Sequence, residues 1–159
     1  LAAAVDLRAA LAKVPGFILP GAESSMQSPV IHLQLSKAAE AAAVLKDPAA
    51  VAAAARAEEA AEGGLGSRKA AVAARAAVAA ARKAMYGMLY QVAERLLQRH
   101  GILVTVPRYS QLDRVQPPPS LKLLVNTGLL QKGQVKQVAA AVTEAAAHVG
   151  LCKKVNGEL

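Results

Sequence analysis

The chain has 159 residues, 54% hydrophobic but only 3% aromatic, with a formal charge of +8; that length suits one domain whose core is built from Val, Leu, Ile and Ala. The single cysteine, Cys152, excludes an internal disulfide, and Cys152, His32, His100 and His148 show no ligand spacing, so no metal site is expected. The positive charge suits nucleic acid, an anionic membrane or an anionic ligand, yet no Lys/Arg cluster interleaved with aromatics is legible, and nucleic acid is not the expected partner.

The first segment, Leu1 to Lys13, places Leu1, Val5, Leu7 and Leu11 at helical spacing and is stopped by Pro15-Gly16. It is charged and amphipathic, unlike a signal peptide. The chain opens on Leu and already in a helix, which reads as a piece of a longer polypeptide. Residues 15–28 are punctuated by Pro15, Gly16, Pro20 and Gly21 and predict a loop with at most a short extended piece. "PVIHLQLS" alternates with period two: Ile31, Leu33 and Leu35 on one face, Val30, His32 and Gln34 on the other. This is the pattern of a half-buried strand, with Pro29 at its start.

Half of residues 37–84 are alanine, the strongest helix former. Asp47-Pro48 and "EGGLGS" divide the region into two or three helical pieces. Alanine buries little apolar area, so these pieces are expected to pack weakly, as a low-complexity helical insertion. Arg, Lys and Glu interrupt the region too often for a membrane span. Glu58-Glu59 reads as an exposed acidic pair rather than an acid/base pair.

From Arg82 onward Met85, Met88, Leu89, Val92 and Leu96 recur at helical spacing, and the two methionines read as core. Tyr86 and Tyr90, four apart, share one side of that helix. Arg95, Arg99 and His100 crowd its last turn, where the helix dipole favours cations, and Gly101 supplies a left-handed cap. "ILVTVPRY" then predicts a short β-branched strand and "SQLDRVQPPP" a connecting loop. Pro117 to Pro119 favour polyproline II and deliver the chain straight into "SLKLLVNT". That strand sets Leu121, Leu123 and Val125 on one face and Lys122, Leu124 and Asn126 on the other. A last amphipathic helix, with Val135, Val138, Ala139, Val142, Ala146 and Val149 on one side, ends at Gly150.

This order predicts an α+β fold: a small three-stranded sheet with helices covering one face and the other face open to a partner. The organisation expected is residues 1–36 and 85–151 as one small domain, 37–84 as the Ala-rich helical insertion and 152–159 as a polar tail. No nucleophile elbow or phosphate loop is present.

"SPVIHLQL", "GILVTVPRY" and "PPPSLKLLV", in that order and followed by a terminal amphipathic helix, resemble the C-terminal domain of the α-oxoamine synthases. Within that family they are most similar to the non-catalytic long-chain-base subunits of serine palmitoyltransferases. The resemblance covers roughly residues 1–36 and 85–149 and leaves out the alanine-rich middle. It implies the C-terminal domain of the aminotransferase-like fold type I. It also implies a pyridoxal-phosphate enzyme that condenses serine with palmitoyl-CoA to 3-ketosphinganine, the entry to sphingolipid synthesis. In such an enzyme the catalytic second subunit of a heterodimer carries the cofactor lysine, and this chain binds no cofactor covalently. Small regulatory membrane subunits and the cytosolic face of the endoplasmic reticulum membrane belong to the same expectation, with membrane contact through a region outside this chain. Catalytic relatives carry on the last strand an arginine that clamps the amino-acid carboxylate; alignment of the strands puts Lys122 there, as a degenerate clamp position. Arginine grips a carboxylate with two parallel N–H bonds, whereas lysine is a point charge. Two alternatives stay open: the C-terminal domain of a catalytic α-oxoamine synthase, and a basic RNA- or membrane-binding module built on the alanine-rich helices.

Overall fold

The computed structural model describes residues 2–20, 30–62, 67–108, 117–125 and 132–152. Along the chain these form α1 (Ala2–Leu11), β1 (Phe17–Ile18), β2 (Val30–Leu35), α2 (Lys37–Lys46), α3 (Pro48–Glu62), α4 (Ser67–His100), β3 (Ser120–Leu124) and α5 (Lys132–His148). The strands make one antiparallel sheet in the order β1-β2-β3, so the chain is of mixed α and β structure. Asn126, the 110–116 stretch of the connecting loop, Pro29, residues 63–66 and residues 153–159 of the tail lie outside the described residues.

The period-two alternation sets the register. Ile31 pairs with Leu123, Leu33 with Leu121 and Leu35 with Phe17, and all six side chains are buried. They join Leu7 and Leu11 of α1, Leu89, Val92 and Leu96 of α4, and Val142, Ala145 and Ala146 of α5 in one core cluster. Burying a Leu or Ile of this kind stabilises the fold by about 1.5–3 kcal/mol. The other face of the sheet carries Ile18, Val30, His32, Gln34, Lys122 and Leu124, which are half-buried or exposed.

One expected strand is corrected. "ILVTVPRY" forms no strand among its described residues, 102–108; it meets the sheet at a single bridge, where Thr105 N donates to Lys122 O (3.0 Å) and Lys122 N to Thr105 O (2.7 Å). The next hydrogen-bonded pair of such a ladder would need an N–H from residue 107, and residue 107 is proline, which has none. The third strand of the sheet is Phe17–Ile18, a short extended piece of the kind the 15–28 loop was expected to allow. Gly16 turns the chain into it at φ +85, with Leu151 O 3.2 Å from where a Cβ would stand.

The alanine-rich region folds as α2, α3 and the first half of α4. Ser36 caps α2, its Oγ accepting from Ala39 N at 3.3 Å. Asp47 caps α3 with Oδ1 accepting from Ala49 N at 2.9 Å, and Pro48 takes the first helical position, where no N–H is missed. Ala39 and Ala43 of α2 sit in the main core, whereas Ala50 and Ala60 of α3 are buried but outside it, in the hairpin that α3 makes against α4. α4 runs unbroken for 34 residues, about 50 Å at 1.5 Å per residue, so the alanine-rich half and the Met85–Leu96 half are one rod. Gly101 ends it at φ +63, and Gly150 follows α5 at φ +73. No described helix is long and apolar enough to cross a membrane.

Candidate functional site

Lys122 lies on β3, on the sheet face turned away from the core. Its backbone is held on both edges: by the bridge to Thr105 on one side and by pairing with His32 on the other. The pleat turns its side chain away from the core, opposite to Leu121 and Leu123, and leaves it half-exposed. Among the described residues no carboxylate pairs with it.

Across the ladder from Lys122 lies His32, whose Nδ1 is 3.3 Å from the Oγ of Ser120. Burial first, and then the neighbouring charge of Lys122, hold the His32 imidazole below its ordinary value, so it is neutral at pH 7. A serine beside a histidine invites comparison with a nucleophile and its base. Ser120 is only 4% exposed, and no hydrogen-bonded carboxylate orients the ring from its other side among the described residues, so the pair lacks the access and the third member that activation needs. What the face offers is one ammonium charge beside a neutral imidazole, able to attract an anion without the fixed two-pronged grip of a guanidinium. It fits a carboxylate contact.

A separate group of charges joins two helices. Arg95 of α4 grips Glu144 of α5, with Nη2 to Oε1 at 2.6 Å and Nε to Oε1 at 3.2 Å, and His100 Nε2 lies 3.1 Å from Oε2. The Arg95 hydrogen bonds, aided by His100, bring the Glu144 carboxyl down to about 2 against the opposing effect of burial. Arg95 and His100, expected only to favour the end of their own helix, thus tie α4 to α5. Burial pushes the Cys152 thiol up, away from a reactive thiolate. No three His, Cys, Asp or Glu side chains converge as metal ligands among the described residues.

A second feature escaped sequence reasoning. An open groove of about 680 Å3 lies where the end of α2, the start of α3, the middle of α4, Arg108 and the end of α5 converge. Lys46, Lys83, Arg108 and His148 line it together with Tyr86, Tyr90 and Gly87. These residues are spread from 46 to 148, and only the i, i+4 spacing of Lys83 with Gly87 and of Tyr86 with Tyr90 was there to be read.

Comparison with known proteins assigns no family: no family model matches the chain, and no curated protein matches it.

Proposed function

We propose that the chain is the C-terminal domain of a non-catalytic long-chain-base subunit of serine palmitoyltransferase, and that it acts by pairing with the pyridoxal-phosphate-bearing catalytic subunit. The observation that carries this reading is Lys122. On the outward face of β3 it presents an ammonium group with no carboxylate partner among the described residues, beside His32, at the position where, by the resemblance, catalytic α-oxoamine synthases place a bidentate arginine. Two further features support it: "VIHLQL" and "SLKLL" are neighbouring strands, and the terminal helix packs with the core side of that sheet. In this reading the subunit supplies a folded face for assembly and a weak point charge, while cofactor chemistry belongs to the partner.

The test is co-expression with the catalytic subunit of the same enzyme. Expected are co-purification of the two chains and serine- and palmitoyl-CoA-dependent product only from the pair. Lys122→Arg should leave this chain inactive alone, because in this reading the cofactor lysine belongs to the partner. Turnover by the unpaired chain, or failure of the two subunits to associate, overturns the proposal.

A further inference from the structure

We infer that the groove between α2, α4 and α5 is a binding site for a small phosphorylated ligand that also carries a flat ring, a ligand of the nucleotide class. This site lies apart from Lys122 and does not depend on the pairing proposed above.

The first observation is charge. Lys46, Lys83 and Arg108 line the groove against a single carboxylate, that of Asp47. Asp47 is occupied, since its Oδ1 accepts from Ala49 N and, at 3.4 Å, from Ala50 N at the start of α3. Lys46 is partly occupied as well: its Nζ donates to Val149 O at 2.7 Å and to Gly150 O at 3.3 Å, closing the end of α5. Anion recognition therefore rests chiefly on Lys83 and Arg108. Lys83 has no ion-pair or hydrogen-bond partner among the described residues. Arg108 is already aimed: its Nε donates to Tyr90 Oη at 2.8 Å, and its guanidinium lies over the Tyr90 ring, 5.1 Å from the centroid. That contact fixes the plane of the guanidinium while its terminal amino groups keep the fork that matches phosphate oxygens. His148 also lines the groove.

The second observation is Gly87. α4 uses alanine wherever a small residue suffices, and glycine in a helix interior costs stability relative to alanine. Nothing stands within 4 Å of where a Gly87 Cβ would be, so no packing contact demands the missing methyl. Gly87 lines the groove, one turn from Lys83 on one side and next to the turn of Tyr90 and Gln91 on the other. Bare backbone there leaves open space in the groove that Tyr86, Tyr90, Lys83 and Arg108 also line. A flat ring fits that space, and a phosphate then reaches Lys83 and Arg108.

The experiment titrates the purified protein with ATP, adenosine and inorganic pyrophosphate by calorimetry at low salt. ATP should bind saturably and at least ten-fold more tightly than either adenosine or pyrophosphate. Lys83→Gln and Arg108→Gln, both at exposed positions, should each weaken ATP at least five-fold with unchanged melting curves. Gly87→Leu should weaken ATP and adenosine while leaving pyrophosphate unaffected. The inference falls if ATP binding is undetectable, if the three variants bind ATP like the parent, or if pyrophosphate or adenosine alone binds as tightly as ATP.

Discussion

Glu144 gives the sharpest prediction. Its carboxylate receives Arg95 and His100 from α4 and so joins the two helices that back the sheet. The fall of its pKa from the ordinary 4.5 to about 2 corresponds to at most about 3–4 kcal/mol at ~1.4 kcal/mol per tenfold change in proton affinity. Solvent screens the pair, because Glu144 is 40% exposed, and about 1 kcal/mol is the reasonable remainder. The sign follows from the direction. A depressed carboxyl contributes fully above its unfolded value near 4.5 and loses that contribution as pH falls toward 2. Glu144→Gln should therefore unfold at lower urea than the parent at pH 7, by about 1 kcal/mol, and the gap should shrink to less than half by pH 3. The parent alone would not serve, since protonation of His32, held low in the folded chain, also destabilises on acidification; the difference between the two proteins isolates Glu144. A gap equal at pH 7 and pH 3, or none at pH 7, refutes the reasoning.

Three more outcomes are expected. Gly87→Ala, at a position open to solvent, should raise stability by about 0.5–1 kcal/mol in a urea melt, as helix propensity requires. Excising residues 49–81 and bridging the gap with a short Gly/Ser linker should cost less than about 2 kcal/mol, because Ala50 and Ala60 are buried in the hairpin and not in the main core; removing α2 as well should cost more, since Ala39 and Ala43 belong to that core, and comparing the two melts checks the division. Leu33→Ala, at a fully buried position facing Leu121, should cost about 2–5 kcal/mol, whereas Lys122→Ala should stay within about 0.5 kcal/mol.

Much of the local structure was legible because its signals are local. Asp47-Pro48 starts α3, Gly101 and Gly150 follow helix ends in the left-handed conformation, and Ile31, Leu33 and Leu35 alternate into the core as their spacing predicts. The failures share a cause: each depended on a distant partner. Residues 102–106 have the composition of a strand, but the ladder they would extend is stopped by Pro107 and meets β3 only at Thr105. Phe17–Ile18 is the short extended piece that the 15–28 loop was expected to allow, but its pairing with Leu35 and Gln34 could not be read locally. The fate of Arg95 and His100 required knowing that α5 brings Glu144 alongside. Lys122 was placed correctly on the outward face by alternation alone; its neutral neighbour His32 and the Ser120 contact came from the cross-strand register, 88 residues away in sequence. The groove was hidden for the same reason, since four separate segments build it.

The segment after α4 explains how these parts are held together. Thr105 fastens it to the backbone of Lys122, and three residues later Arg108 fastens it to Tyr90. Val104 between sheet and helix is buried. A full fourth strand would have covered the free edge of β3 and carried Arg108 along the sheet; Pro107 ends the pairing, and Arg108 lies over the helix instead. The entry to β3 is tied to the same rod, since Arg82 donates to Pro117 O. The proline run thus does more than stiffen the chain: it presents a carbonyl, unpaired by any strand, to an arginine that also lies 5.9 Å from the Tyr86 ring centroid. Both ends of the connection between α4 and β3 are therefore anchored on the Arg82–Tyr90 stretch of α4. That stretch lines the cationic groove, while the strand it positions displays Lys122 on the opposite side of the core.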